Sequence, residues 1–171
     1  FHVDADGRGL TALEEQLVET AEHLRDAEDR CRIHFTIPQH QELIFRGELR
    51  EITARLEERF GVRFDISLSI QGPETDTVAG SLDGGPFRDD DGRLLFRPGG
   101  HGALLGNLQR FDGDLVFLRN IDNIQPEHRR REVLRWNRIL GGYLLEIEAQ
   151  LVETLSRVER VRSEDQTLEE E

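Results

Sequence analysis

The 171-residue chain has no methionine and no lysine; all 22 of its basic residues are arginine. Chemistry that needs a lysine ammonium must therefore draw it from elsewhere. The single cysteine, Cys31, excludes an internal disulfide framework and a cysteine-rich zinc site. It opens an expected buried strand and reads as an inert core thiol, with a cytoplasmic location as the default. No apolar run approaches the roughly 20 residues of a membrane span, and no signal peptide is visible. A net charge of −13 argues against a general binder of nucleic acid or anionic membrane, since either needs a basic surface. The chain opens at Phe1, which reads as a segment of a longer protein.

What is present is an alternation of helix and strand signals. Residues 1–9 read as a polar loop; His2, Asp4 and Asp6 there could suggest a metal site, but a solvated loop is the expectation. Thr11 and Glu14 form a capping-box pattern, and Leu13, Leu17, Ala21 and Leu24 mark one face of a helix running to about Asp29. Residues 32–37 read as a strand, and Pro38 sits where a helix begins. Phe45, Leu49, Ile52, Leu56 and Phe60 recur at spacings of three and four, which predicts a second helix ended by Gly61. From Val62 to Ile70 the residues alternate, with Phe64, Ile66, Leu68 and Ile70 on one side and Asp65, Ser67 and Ser69 on the other. Strand, helix and strand in this order predict a parallel βαβ unit. Gln71 to Thr77 is a loop at the second strand's carboxyl end. Residues 81–92 are another loop or short hairpin, in which Asp89, Asp90 and Asp91 form a solvated turn, because adjacent side chains point apart.

The central stretch runs from Arg93 to Asn123. Leu94 to Phe96 predicts a short strand, Pro98 to Gly102 a glycine loop, and the apolar run after it a helix N-terminus. Glycines without a Cβ let backbone amides approach a ligand, and a helix N-terminus favours negative charge. The loop suits a nucleotide base, ribose or phosphate; equally, it suits a tight turn needing positive φ. His101 within it reads as a reader of a base or sugar, or as a loop histidine bonded to a carbonyl. Leu115 to Leu118, apolar at four positions, predicts a strand covered on both faces. Asp122 at its end suits a magnesium-binding carboxylate or an Asx-type turn before Pro126. Ligands collect at the carboxyl ends of strands in open α/β sheets. Glu127 to Arg162 predicts a long helix with Trp136, Leu140, Leu144, Ile147, Leu151, Leu155 and Val158 on one stripe, kinked or broken at Gly141-Gly142.

Gln71 in its loop, then Pro98-Gly-Gly-His-Gly-Ala-Leu-Leu105, then Phe117-Leu-Arg-Asn-Ile-Asp-Asn-Ile124 resembles the middle of the UDP-sugar pyrophosphorylase group. Its N-acetylglucosamine branch carries a Gln-bearing loop, a Pro-Asp-Gly-Asn-Gly-Gly-Leu-Tyr motif and a Val-Asp-Asn-Ile-Leu strand end. The chain resembles more closely, over about Thr11 to Leu145, an uncharacterised bacterial domain family with a nucleotidyltransferase-like (GT-A) fold. Phe96 to Leu104, Asn120 to Asn123, His34-Phe-Thr36 and Thr75-Asp-Thr77 carry that likeness. It implies an α/β, Rossmann-like and mostly parallel sheet with flanking helices, an incomplete domain within this chain.

The pyrophosphorylase likeness spans only about Gln71 to Ile124. It implies a nucleotide pocket in which Gln71 helps recognise the base and Gly99, Gly100, His101 and Gly102 face base and ribose. Asp122 would hold magnesium near the α-phosphate, with Asn123 beside it. The implied reaction joins a nucleoside triphosphate to a sugar 1-phosphate or similar phosphorylated small molecule and releases pyrophosphate. Gly99 stands where the relatives carry aspartate, His101 where they carry asparagine and Ala103 where they carry glycine. Their upstream glycine loop with its basic residue is absent here. The segment alone is thus expected to be inactive, within a parent that is a nucleotidyltransferase. The rivals are a nucleotide-binding module without catalysis and a protein-interaction segment built on the long helix. The expected organisation is an α/β segment over residues 1–126, a helical segment packed on it over 127–162, and a frayed acidic tail over 163–171.

Overall fold

The computed structural model describes residues 2–3 and 7–169, and divides them between a unit of residues 10–118 and a unit containing residues 119–169 with the N-terminal residues up to 9. Asp4 and Asp6, and with them the question of a metal site near His2, lie outside the described residues.

The first unit begins with α1 (Ala12–His23). Its capping box forms as expected: the Glu14 amide donates to Thr11 Oγ1 at 3.2 Å and the Thr11 amide to Glu14 Oε2 at 2.8 Å. The helix stops at His23 rather than near Asp29. Asp26 Oδ1 accepts from the amides of Glu28 and Arg30, and Asp29 adopts a positive φ of 59°, so a side-chain-closed turn replaces the last helical turn. Strand β1 (Arg30–Ile37) comes next, then a 3₁₀ turn after Pro38, then α2 (Glu42–Phe60) and β2 (Arg63–Ile70). Gly61 closes α2 in the left-handed region at φ 64°, and its amide donates to the Glu57 carbonyl, the cap that the sequence predicts.

β1 and β2 pair in parallel from Arg30 with Arg63 to Ile37 with Ile70, completing the expected βαβ unit. α1 and α2 pack on one face of this sheet. Leu13, Leu17, Val18, Leu49, Ile52 and Leu56 form the core there, against Ile33, Phe35, Phe64, Ile66 and Leu68 of the strands. Cys31 is fully buried beside Ala21 and Val62, and burial raises its thiol pKa, as expected of an inert core cysteine.

Beyond β2 the chain forms a narrow antiparallel meander. β3 (Thr77–Val78) pairs with β4 (Phe96–Arg97), and the loop between them returns to both: Ala79 N–H donates to Leu95 O, Phe87 N–H to Ala79 O, and Leu95 N–H to Phe87 O. The strand expected at Leu94 to Phe96 is therefore two residues long and shifted by one or two positions. The three aspartates form the expected turn, with Asp89 Oδ1 accepting from the amides of Asp91 and Arg93. A 3₁₀ turn (His101–Leu104) leads into the one-turn helix α3 (Leu105–Leu108).

The expected buried strand at Leu115 to Leu118 is not formed. Among the described residues the segment pairs with no strand; Val116 is 46% and Leu118 66% exposed, while Phe117 packs edge-on against His23. An apolar run becomes a strand only where a sheet edge receives its backbone, and this run has none.

In the second unit, a 3₁₀ turn (Ile121–Asn123) precedes α4 (Glu127–Glu169). α4 runs unbroken through Gly141-Gly142 and continues into the acidic residues expected to fray. Two glycines cost on the order of 1 kcal/mol each relative to alanine, and the backbone ladder on either side persists across them. No helix among the described residues is long and apolar enough to cross a membrane.

Candidate functional site

Period-2 alternation puts Arg32, His34 and Thr36 of β1 and Asp65, Ser67 and Ser69 of β2 on the sheet face opposite the helices. His34 sits across from Ser67 and Thr36 across from Ser69. The imidazole bridges two hydroxyls, with Nδ1 2.7 Å from Ser67 Oγ and Nε2 2.8 Å from Ser69 Oγ. Thr36 Oγ1 is 3.1 Å from the same Ser69 oxygen. The Phe111 ring stands edge-on to His34 at 4.4 Å, and burial lowers the histidine's pKa, favouring neutral imidazole. Neutral imidazole has one donor and one acceptor nitrogen, which matches a hydroxyl on either side.

This network fixes the end of β2 and the chain beyond it. Asn107, buried in α3, donates from Nδ2 to Ser69 Oγ at 2.8 Å and to the Ile70 carbonyl at 3.2 Å. One residue beyond Ile70, Gln71 Nε2 donates to Thr75 Oγ1 at 3.0 Å, and Thr75 Oγ1 donates to the Gly72 carbonyl at 2.7 Å. The Gln71 loop is thus closed on itself by its own side chains. Against its back lies Gly99: a Cβ there would stand 2.6 Å from the Thr75 carbonyl oxygen and 3.1 Å from Ala103 Cβ. Gly99 is required by this close approach. Positive φ, the alternative reason for these glycines, does not arise at Gly99, Gly100 or Gly102.

The structure therefore brings Gln71 and Gly99 together at the carboxyl end of β2. Gly100 caps the 3₁₀ turn that carries exposed His101 and Gly102. The expected helix N-terminus is instead this 3₁₀ turn and a single helical turn, so the anion-favouring dipole of a full helix is absent at the loop.

Asp122 and Asn123 belong to the other unit. Asp122 is exposed in the 3₁₀ turn rather than at a strand end. Asn120 caps that turn, its Oδ1 accepting from the Asp122 amide at 3.2 Å, while the Asn120 amide donates to Asn123 Oδ1 at 3.4 Å. The cap before Pro126 is thus made by Asn120, and Asn123 is occupied in it. Among the described residues no three His, Cys, Asp or Glu side chains gather as a metal-holding group. A lone exposed carboxylate fits magnesium only in its usual mode, in which water and substrate phosphates supply most ligands.

Sequence reasoning assigns no role to His34, Ser67, Ser69 or Asn107. The alternation of residues 63–70 places both serines on the polar face, and the register opposite His34 is the missing information. A separate groove of about 280 Å³ between α2 and β2, lined by Arg46, Leu49, Arg50, Phe64, Ile66 and Leu68, shares no residue with the loops above.

A parallel βαβ unit with two crossing loops at a strand's carboxyl end defines the chain as an α/β protein. Comparison with family models makes the assignment particular: the chain belongs, over residues 1–171, to the family described as domain of unknown function DUF4301. Comparison with the curated proteins and with the solved structures finds no match.

Proposed function

We propose that the chain is the nucleotide-binding segment of a nucleotidyltransferase-like protein of Rossmann-like, GT-A type, with the nucleotide held at the carboxyl end of β2. The observation that carries this reading is the closure of the Gln71 loop against the backbone of Gly99, at the end of a parallel strand. Parallel sheets bind ligands at that end. Gln71 offers an amide able to pair with a base edge, and Gly100 and Gly102 offer backbone unobstructed by side chains. His101, exposed beside them, would contact base or ribose.

On this reading Asp122 would be a protein ligand of Mg²⁺. The bound ion would supply charge neutralisation for transfer of a nucleotidyl group to a phosphorylated small molecule such as a sugar 1-phosphate. Such transfer relies on positioning and electrostatics more than on covalent participation of the protein, so few side chains are needed. The test is a thermal-shift panel with UTP, ATP, GTP, CTP and TTP, each with and without magnesium. A ligand that binds only the folded state stabilises it by roughly 2.7 kcal/mol at a hundred times its dissociation constant. A shift with one triphosphate, enhanced by magnesium and losing that enhancement in Asp122→Ala, is expected; no shift with any of the five removes the reading.

A further inference from the structure

α4 carries a repeat that the nucleotide reading does not use. Leu140, Leu144, Ile147, Leu151, Val158 and Val161 succeed one another at alternating steps of four and three, with Thr154 filling the one remaining position. This is a strict heptad seam, with Leu144, Leu151 and Val158 at a and Leu140, Ile147, Thr154 and Val161 at d. A helix that merely lies against a globular core drifts from such a repeat, because its own period is 3.6 rather than 3.5. The six apolar side chains are between 43% and 60% exposed, and every residue from 142 to 162 is exposed.

We propose that this seam pairs with the same seam of a second copy of the chain, as an antiparallel coiled coil centred between Leu151 and Thr154. Charge selects the occupant and its direction. A parallel pair would set Arg157 at g against Arg162 at e of the other helix, two like charges at each flank. An antiparallel pair that matches Leu144 with Val161 and Ile147 with Val158 brings Glu148 toward Arg162 of the second copy, and the two-fold axis repeats that pair. Helical side chains lean toward their own N-termini, so in this direction the two charged ends converge. A register shifted by one heptad sets Glu148 or Arg162 against Leu155 instead, so charge also fixes the alignment.

The test is sedimentation equilibrium of the whole chain in the upper micromolar range, with oxidative cross-linking as its second arm. The wild-type chain is expected to be dimeric. L151E is expected to be monomeric with its helix content unchanged by circular dichroism. E148R should weaken the dimer several-fold, and the double reversal E148R/R162E should restore it. The native Cys31 is buried and does not compete in cross-linking. L144C and V161C chains mixed together should form a disulfide that neither forms alone. A wild-type chain that is monomeric throughout overturns the proposal. An L144C chain that cross-links to itself overturns the antiparallel arrangement.

Discussion

The two faces of the β1–β2 sheet are built from alternate residues of the same strands and hold different structure in place. The face with Ile33, Phe35, Phe64, Ile66 and Leu68 is sealed by α1 and α2 and contains the largest fully buried side chains nearby, Leu17 and Leu56. The opposite face, with His34, Ser67 and Ser69, holds a short polar network that ends in Asn107. The apolar face makes the unit fold; the polar face sets where the chain after β2 comes to rest.

The sharpest way to break that division is on the apolar side. Leu56→Ala removes a side chain that is 1% exposed and is expected to cost about 2–5 kcal/mol, from lost burial plus the cavity left behind. Urea unfolding should show the loss as a lower midpoint at unchanged slope. On the polar side, Ser69→Ala deprives both Asn107 Nδ2 and His34 Nε2 of a partner, at an expected cost of about 1–3 kcal/mol. Its signature is local: hydrogen exchange of amides 105–108 should accelerate more than that of α2. Equal acceleration in both would mean that the two faces are not separable.

The smallest expected effect is a pH dependence. The folded state holds His34 below its ordinary value of 6.5 because burial disfavours the imidazolium. The unfolded chain therefore takes up a proton at a higher pH than the folded one. The contribution is fully present above the ordinary histidine value and is lost as pH falls below it toward the folded value. Unfolding free energy should decline across that acidic interval, and His34→Gln should decline less.

Much of the apolar face is legible in the sequence. Three-and-four spacing from Phe45 to Phe60, the glycine after it and the alternation of residues 63–70 specify helix, cap and strand through local physics alone. The parallel pairing is implied by the strand–helix–strand order. The site is legible in part. Gln71 and Gly99 stand out in the sequence, but the reason for Gly99 is a close approach to Thr75, a contact 24 positions away that no local pattern encodes. The Leu115–Leu118 run shows the converse limit: its composition is that of a strand, and a strand also needs an edge to pair with. Gly141-Gly142 shows the weakness of a local penalty against a long helical ladder. His34 and Asn107 acquire their importance only through register and chain reversal.

The central claim is that a nucleotide is held where the Gln71 loop meets Gly99. The most direct measurement is amide chemical-shift mapping of the whole chain by NMR during titration with each magnesium–nucleoside triphosphate. Saturable shifts concentrated at residues 71–76 and 99–102 are expected with one of the five, and much weaker shifts in Gly99→Ala, whose Cβ collides with the Thr75 carbonyl. Saturable shifts confined to other parts of the chain, or none with any triphosphate, would contradict it.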